Sequence, residues 1–134
     1  LTLEGKLSRY NAIATEGYGV PAIVDDVALT AQTADIASTN FANAGVAGRY
    51  RVNLYLACTT ADAAAGDVTV TISFTDGAGA TTIVFGPLVL TALIRSATVR
   101  YIQLSSGSIS YAVTHTGIYG TAQYSVHMTL ERLA

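Results

Sequence analysis

At 134 residues and a formal net charge of -2, the chain has the length of one domain, large enough to bury about 65 to 70% of its unfolded surface without staples. Its seven lysines and arginines are scattered along the sequence, which excludes the clustered positive face that nucleic-acid binding requires. Only 12% of residues are charged, against about a quarter in an average soluble protein, so the surface is neutral and easily buried against another subunit.

In chain order, residues 1 to 21 carry Gly5, Gly17, Gly19 and Pro21 together with Glu4, Lys6, Arg9 and Glu16, and they keep no sustained period. They are expected to form an extended N-terminal arm ahead of a folded domain spanning 22 to 134. The opening Leu-Thr-Leu-Glu-Gly-Lys-Leu lacks the basic and then apolar layout of a signal peptide. Short apolar pieces at Ala22-Ile23-Val24, Val27 to Thr33 and Ile36 to Phe41 predict one or two edge strands, broken near Ala34-Asp35. Glycines at 45 and 48 mark a turn. A long strand is predicted from Arg49 to about Thr59, with Tyr50, Val52, Leu54, Leu56 and Cys58 on one face.

Val68, Val70, Ile72 and Phe74 alternate with Thr69, Thr71, Ser73 and Thr75, the period of a strand with one buried face. Asp76-Gly77-Ala78-Gly79 is a hairpin signal, because aspartate and glycine supply the positive φ such turns need. The returning strand is Thr81 to Phe85. Gly86-Pro87 should break or bulge it, since proline donates nothing to a ladder, before Leu88-Val89-Leu90. Further strands are expected at about Ala97 to Leu104, Ser108 to Thr114 and Gln123 to Leu133, separated by a turn at Ser105-Ser106-Gly107 and a loop from Gly117 to Gly120. The last strand places Tyr124, Val126, Met128 and Leu130 opposite Ser125, His127, Thr129 and Glu131.

Eight strands at this spacing and no helix predict an all-β antiparallel sandwich. A jelly roll, which pairs two four-stranded sheets face to face, is the first choice. An immunoglobulin-like sandwich is the alternative, although the chain has no tryptophan and one cysteine, so the usual core markers of that fold are missing.

No catalytic constellation can be named. Cys58 is expected to be a small buried hydrophobe, with no activating base beside it in sequence. His127 falls at an outward strand position and His115 just after a strand. The two histidines and one cysteine lack zinc-ligand spacing. Asp25-Asp26 is the sole adjacent acidic pair and is expected to lie in a solvated turn, since calcium takes six to eight oxygens. Glu16, Asp62, Asp67, Asp76 and Glu131 form no marked pair for glycoside cleavage, no serine lies in a nucleophile elbow, and no glycine-rich phosphate loop joins a strand to a helix. The chain is therefore expected to be no enzyme and to need neither metal nor cofactor. No stretch reaches the roughly 18 to 20 apolar residues of a membrane span, so no membrane partner is expected.

More suggestive are apolar residues that should face outward. Tyr55 opposes the core set of its strand; in the next-but-two strand, whichever face takes Val99 and Tyr101 leaves Ile102 and Leu104 on the other. Tyr55, Ile102 and Leu104 are therefore candidates for a subunit interface, because a contiguous apolar patch on so uncharged a surface marks a contact. Tyr119, between Ile118 and Gly120 in a loop, is a candidate ligand contact.

The segments Gly48-Arg49-Tyr50-Arg51-Val52-Asn53-Leu54-Tyr55-Leu56, Val68 to Gly77 and Gln123 to Leu133 resemble small bacteriophage virion proteins: tail-fibre, head-fibre and capsid-decoration domains with jelly-roll knobs. The Gly-Arg-Tyr opening is also similar to trimeric knobs of the tumour-necrosis-factor and C1q type. The resemblance covers roughly residues 18 to 134 and brings no catalytic motif. It implies a homotrimer on the exterior of a virion, with the N-terminal arm attached to other virion proteins and the sandwich displayed. The alternative function is a carbohydrate- or receptor-binding module, in which Tyr119 would stack on a host glycan.

Overall fold

The computed structural model describes residues 21–133, and in them eight strands form two four-stranded antiparallel sheets with no helix. The strands are β1 (Ala22–Gln32), β2 (Ile36–Asn40), β3 (Gly48–Thr60), β4 (Asp67–Asp76), β5 (Gly79–Val89), β6 (Arg95–Leu104), β7 (Ser106–Thr116) and β8 (Gln123–Arg132). One sheet has the order β1-β8-β3-β6 and the other β2-β7-β4-β5. Among these strands only β4 and β5 are consecutive neighbours within one sheet; every other connection crosses between sheets. That is a jelly roll, and it accounts for the even spacing of turn signals along the sequence.

Alternation sets the core. Tyr50, Val52, Leu54, Leu56 and Cys58 from β3 and Tyr124, Val126, Met128 and Leu130 from β8 are buried, facing Val68, Val70 and Ile72 from β4 and Ile109, Tyr111 and Val113 from β7. These central strands lie one pleat apart from their polar neighbours, so each alternate side chain enters the space between the sheets. Two core tyrosines keep their hydroxyls bonded, as burial demands: Tyr50 donates to the Val46 carbonyl at 2.5 Å and Tyr124 to the Ala34 carbonyl at 2.7 Å.

The β4–β5 hairpin turns through Gly77-Ala78, with Asp76 Oδ1 accepting the Ala78 amide at 2.8 Å. The expected irregularity at Gly86-Pro87 is a bulge, where the register slips between Val68 and Val70. Gly86 adopts φ +107°, and a Cβ there would meet the Val68 carbonyl oxygen at 3.0 Å, so only glycine fits the bend without displacement.

The structure corrects two local expectations. Asp25-Asp26 lies inside β1, beside a register shift between Ile23 and Asp25, and is not a turn. Ser105 alone separates β6 from β7, which belong to different sheets. Ser105 anchors this crossing by donating its amide and its hydroxyl to the Thr75 carbonyl at 2.9 and 3.1 Å. The two N-terminal strands are edges, one per sheet, as the broken pattern predicted. The N-terminal arm lies outside the described residues, apart from Pro21.

Candidate functional site

Among the described residues, the outer face of the β1-β8-β3-β6 sheet carries the main concentration of exposed aromatic and charged side chains. The register aligns Arg51 of β3 with Glu131 of β8 and Tyr101 of β6, and aligns Asn53 with Thr129 and Val99. Arg51 Nη2 donates to Glu131 Oε2, and Asn53 Nδ2 donates to Glu131 Oε1 at 2.8 Å and to Thr129 Oγ1 at 3.1 Å. The Arg49 guanidinium sits over the Tyr101 ring, 5.2 Å from its centroid, at cation–π distance. Beside this network a groove of about 370 Å³ is lined by Asn53, Tyr55, Ala97, Val99, His127 and Thr129. Tyr55, Val99 and Tyr101 are exposed around it, at 43%, 48% and 55%.

Of the interface candidates, Tyr55 is therefore on the outer face, but Ile102 and Leu104 are not. Both are 1% exposed and sit in the core. The reason is the pleat: Tyr50, an inward residue of β3, pairs with Ile102, whereas outward Arg51 pairs with Tyr101. Val99 and Tyr101 replace them as outward apolar residues. The alternation of β6 held both solutions, and only its pairing with β3 decides between them.

The opposite outer face, on the β2-β7-β4-β5 sheet, is different. Its shallow depression of about 640 Å³ is bordered by Ser73, Thr75, Thr82, Ser108 and Ser110. No lysine or arginine occurs on any of its four strands.

At one end of the sandwich a third cluster joins Asp35, His115, Tyr119 and Tyr124. Tyr119 donates its hydroxyl to Asp35 Oδ1 at 2.6 Å, and His115 Nδ1 lies 2.5 Å from the same oxygen. The His115 and Tyr119 rings are 4.3 Å apart, and Tyr119 stacks on Tyr124 at 6.0 Å. The Tyr119 hydrogen bond, followed by His115, holds the Asp35 carboxyl below its ordinary range. Burial pushes the Tyr119 phenol well above its ordinary value and Tyr124 up to about 12. A phenol so placed keeps its proton at neutral pH and acts as a hydrogen-bond donor. Tyr119 is thus half-buried, with one edge committed to Asp35 and its ring between two other rings. What the cluster does is fasten the β1–β2 connection to β7 and to the loop before β8.

The second histidine does a similar job. His127 Nε2 lies 2.7 Å from Asp26 Oδ1, tying edge strand β1 to β8. Both pairings join residues 80 or more positions apart, so no local spacing could have announced them. At the loops between β3 and β4 and between β7 and β8, Asp62 accepts the amides of Thr121 and Ala64, which hold its carboxyl below the usual range. Cys58 is buried, its thiol pushed up by burial, and Sγ lies 3.3 Å from the Thr60 carbonyl. Among the described residues no group of three or more His, Cys, Asp or Glu side chains is placed to hold a metal ion.

Compared with known families and with curated proteins, the chain matches no family model and no curated sequence.

Proposed function

We propose that this chain is a non-enzymatic structural component of a bacteriophage particle, a capsid-decoration or fibre-knob jelly roll that acts by self-association on the particle's exterior and is fastened by its N-terminal segment. The bacteriophage part of the reading rests on the resemblance of the β3, β4 and β8 sequences to virion jelly rolls, which is an analogy of fold and style. The self-association part rests on one observation: Tyr55, Val99 and Tyr101 stand exposed around an apolar-lined groove on a chain with few charges. Apolar residues gathered on one face favour a protein contact. The use of Asp26, Asp35, Asp62, His115 and His127 as ties between strands and loops supports the non-enzymatic part.

The experiment is the solution mass of the full chain, and of the chain without residues 1–19, by light scattering across a concentration series. A trimer that survives arm removal supports a knob that assembles through its sandwich. A monomer in both, up to high concentration, overturns self-association. The carbohydrate-binding alternative is disfavoured by the packing of Tyr119 between His115 and Tyr124, since stacking on a sugar needs an open ring face. Glycan binding that is abolished by Tyr119→Ala would reinstate it.

A further inference from the structure

The charges of the β1-β8-β3-β6 sheet are sorted by edge. Its two outer strands are β1 and β6, whose far sides pair with no other described strand. Strand β6 carries Arg95 and Arg100 and no acid; β1 carries Asp25 and Asp26 and no base. The ion pairs among the described residues join Arg51 to Glu131, His115 to Asp35 and His127 to Asp26, so neither β6 arginine is neutralised within them. Both edges also expose apolar residues: Ile23 is 66% exposed on β1, and Val99 and Tyr101 are exposed on β6.

The register makes the two edges complementary row by row. Asp25, Leu130, Val52 and Arg100 form one row across the four strands, on the side of the sheet that faces the core, and Ile23, Glu131, Arg51 and Tyr101 form the neighbouring row on the outer side. Each pair of neighbours in the sheet is antiparallel, so β1 also runs antiparallel to β6. A second copy set beside the first as a continuation of the sheet, with these rows in line, brings its Asp25 to Arg100 and its Ile23 to Tyr101.

We infer that the partner of the β6 edge is the β1 edge of a second copy of this chain, in a head-to-tail contact with Arg100 against Asp25 and Tyr101 against Ile23. This rests on the self-association reading above and specifies its geometry. A heterologous contact of this kind closes into a ring when the rotation between copies allows, which suits a trimer. Charged edges and bulges also serve to keep sheets from pairing at random. Opposite signs in matching rows do the reverse for one partner, since they attract in a single register and repel like edges.

The test uses full-length chains. Arg100→Glu reverses the β6 edge and Asp25→Lys reverses the β1 edge in the same row, with circular dichroism checking that the variant without the Asp25 bond to the Ala42 amide still folds. Each variant alone should associate at least about tenfold more weakly than the parent. Mixed in equal amounts, the two should reassemble, because the reversed edges are again opposite in sign. Variants that associate as tightly as the parent, or that stay apart on mixing, overturn the edge pairing and leave self-association standing. A parent that is monomeric throughout overturns both.

A second measurement does not depend on charge. A chain with Ile23→Cys and Tyr101→Cys should give disulfide-linked oligomers under mild oxidation, Cys58 being buried, whereas each single variant should give none. Dimers formed as readily by Tyr101→Cys alone would mean that like edges meet, and would overturn the head-to-tail arrangement.

Discussion

The two outer faces of this sandwich are produced by the same alternation and end with opposite surfaces. Inward, the sheets are equivalent: β3 and β8 supply Tyr, Val, Leu and Met, and β4 and β7 supply Val, Ile and Tyr, all buried. Outward, β4 and β7 present Thr and Ser, whereas β3, β6 and β8 present Tyr55, Val99, Tyr101, Arg49, Arg51 and Glu131. All five arginines among residues 21–133 lie on strands of this second sheet. Threonine and serine, with Val84 and Val89 of β5 beside them, finish the β2-β7-β4-β5 sheet against water without an exposed tyrosine, a lysine or an arginine. The aromatic and charged inventory of the other face is therefore in excess of what folding requires, and that excess is what points to a contact.

The comparison can be broken most severely from the inside. Met128→Ala in β8 and Ile72→Ala in β4 should each cost about 2 to 5 kcal/mol in urea unfolding. Similar losses are expected because both side chains are fully buried; a much smaller loss for one would mean that the sheets do not share one core. On the outside the faces should separate. Val99→Ser with Tyr101→Ser should remove about 2 kcal/mol or more of association free energy, as loss of a central contact does. The matched change Thr71→Ala with Thr82→Ala on the other face should shift stability by less than about 0.5 kcal/mol per site. Sedimentation equilibrium and thermal melting read the two, and equal effects would end the distinction.

A smaller effect is expected from the polar network. Glu131→Gln leaves Arg51 without its anionic partner at a site where the two side chains are 33% and 16% exposed, and the melting temperature should fall, by less than for either core variant. The smallest effect concerns pH and belongs to neither face. Asp62 titrates below its ordinary 3.8 because the Thr121 and Ala64 amides stabilise the carboxylate. A depressed folded value means that this stabilisation is present above the unfolded value and is lost as pH falls through the folded one. The melting temperature should therefore decline with acid below about pH 4, with a shallower decline in Asp62→Asn. An unchanged slope would show that these loop hydrogen bonds add nothing.

The alternation that sorts side chains into faces is local, so the central strands were legible in the sequence. The buried sets of β3 and β8, the Asp76 to Gly79 hairpin and the Gly86-Pro87 bulge all lie where the residues predicted them. What was not legible depends on pairing. The phase of β6 was ambiguous because Val99 and Tyr101 are as apolar as Ile102 and Leu104, and the choice is imposed by β3, some 45 residues earlier. The Asp26–His127 tie depends on first and last strands meeting, and the Asp35–His115–Tyr119 cluster on a loop meeting the far end of β7. The edge-sorted charges were visible as residues but had no meaning before the strand order was known.

That first and last strands meet has a consequence for how the protein is made. Strand β8 lies between β1 and β3, so until Gln123–Arg132 has been synthesised β1 has no neighbour, β3 has only β6, and one whole sheet lacks its middle. The β4–β5 hairpin needs only contiguous sequence and can form early, but long-range pairing must wait and carries the larger closure entropy. A chain released short of β8 would thus be more than a slightly weakened sandwich: it would leave the strands destined for the contact face as separate edges, open to pairing with whatever chain is nearby.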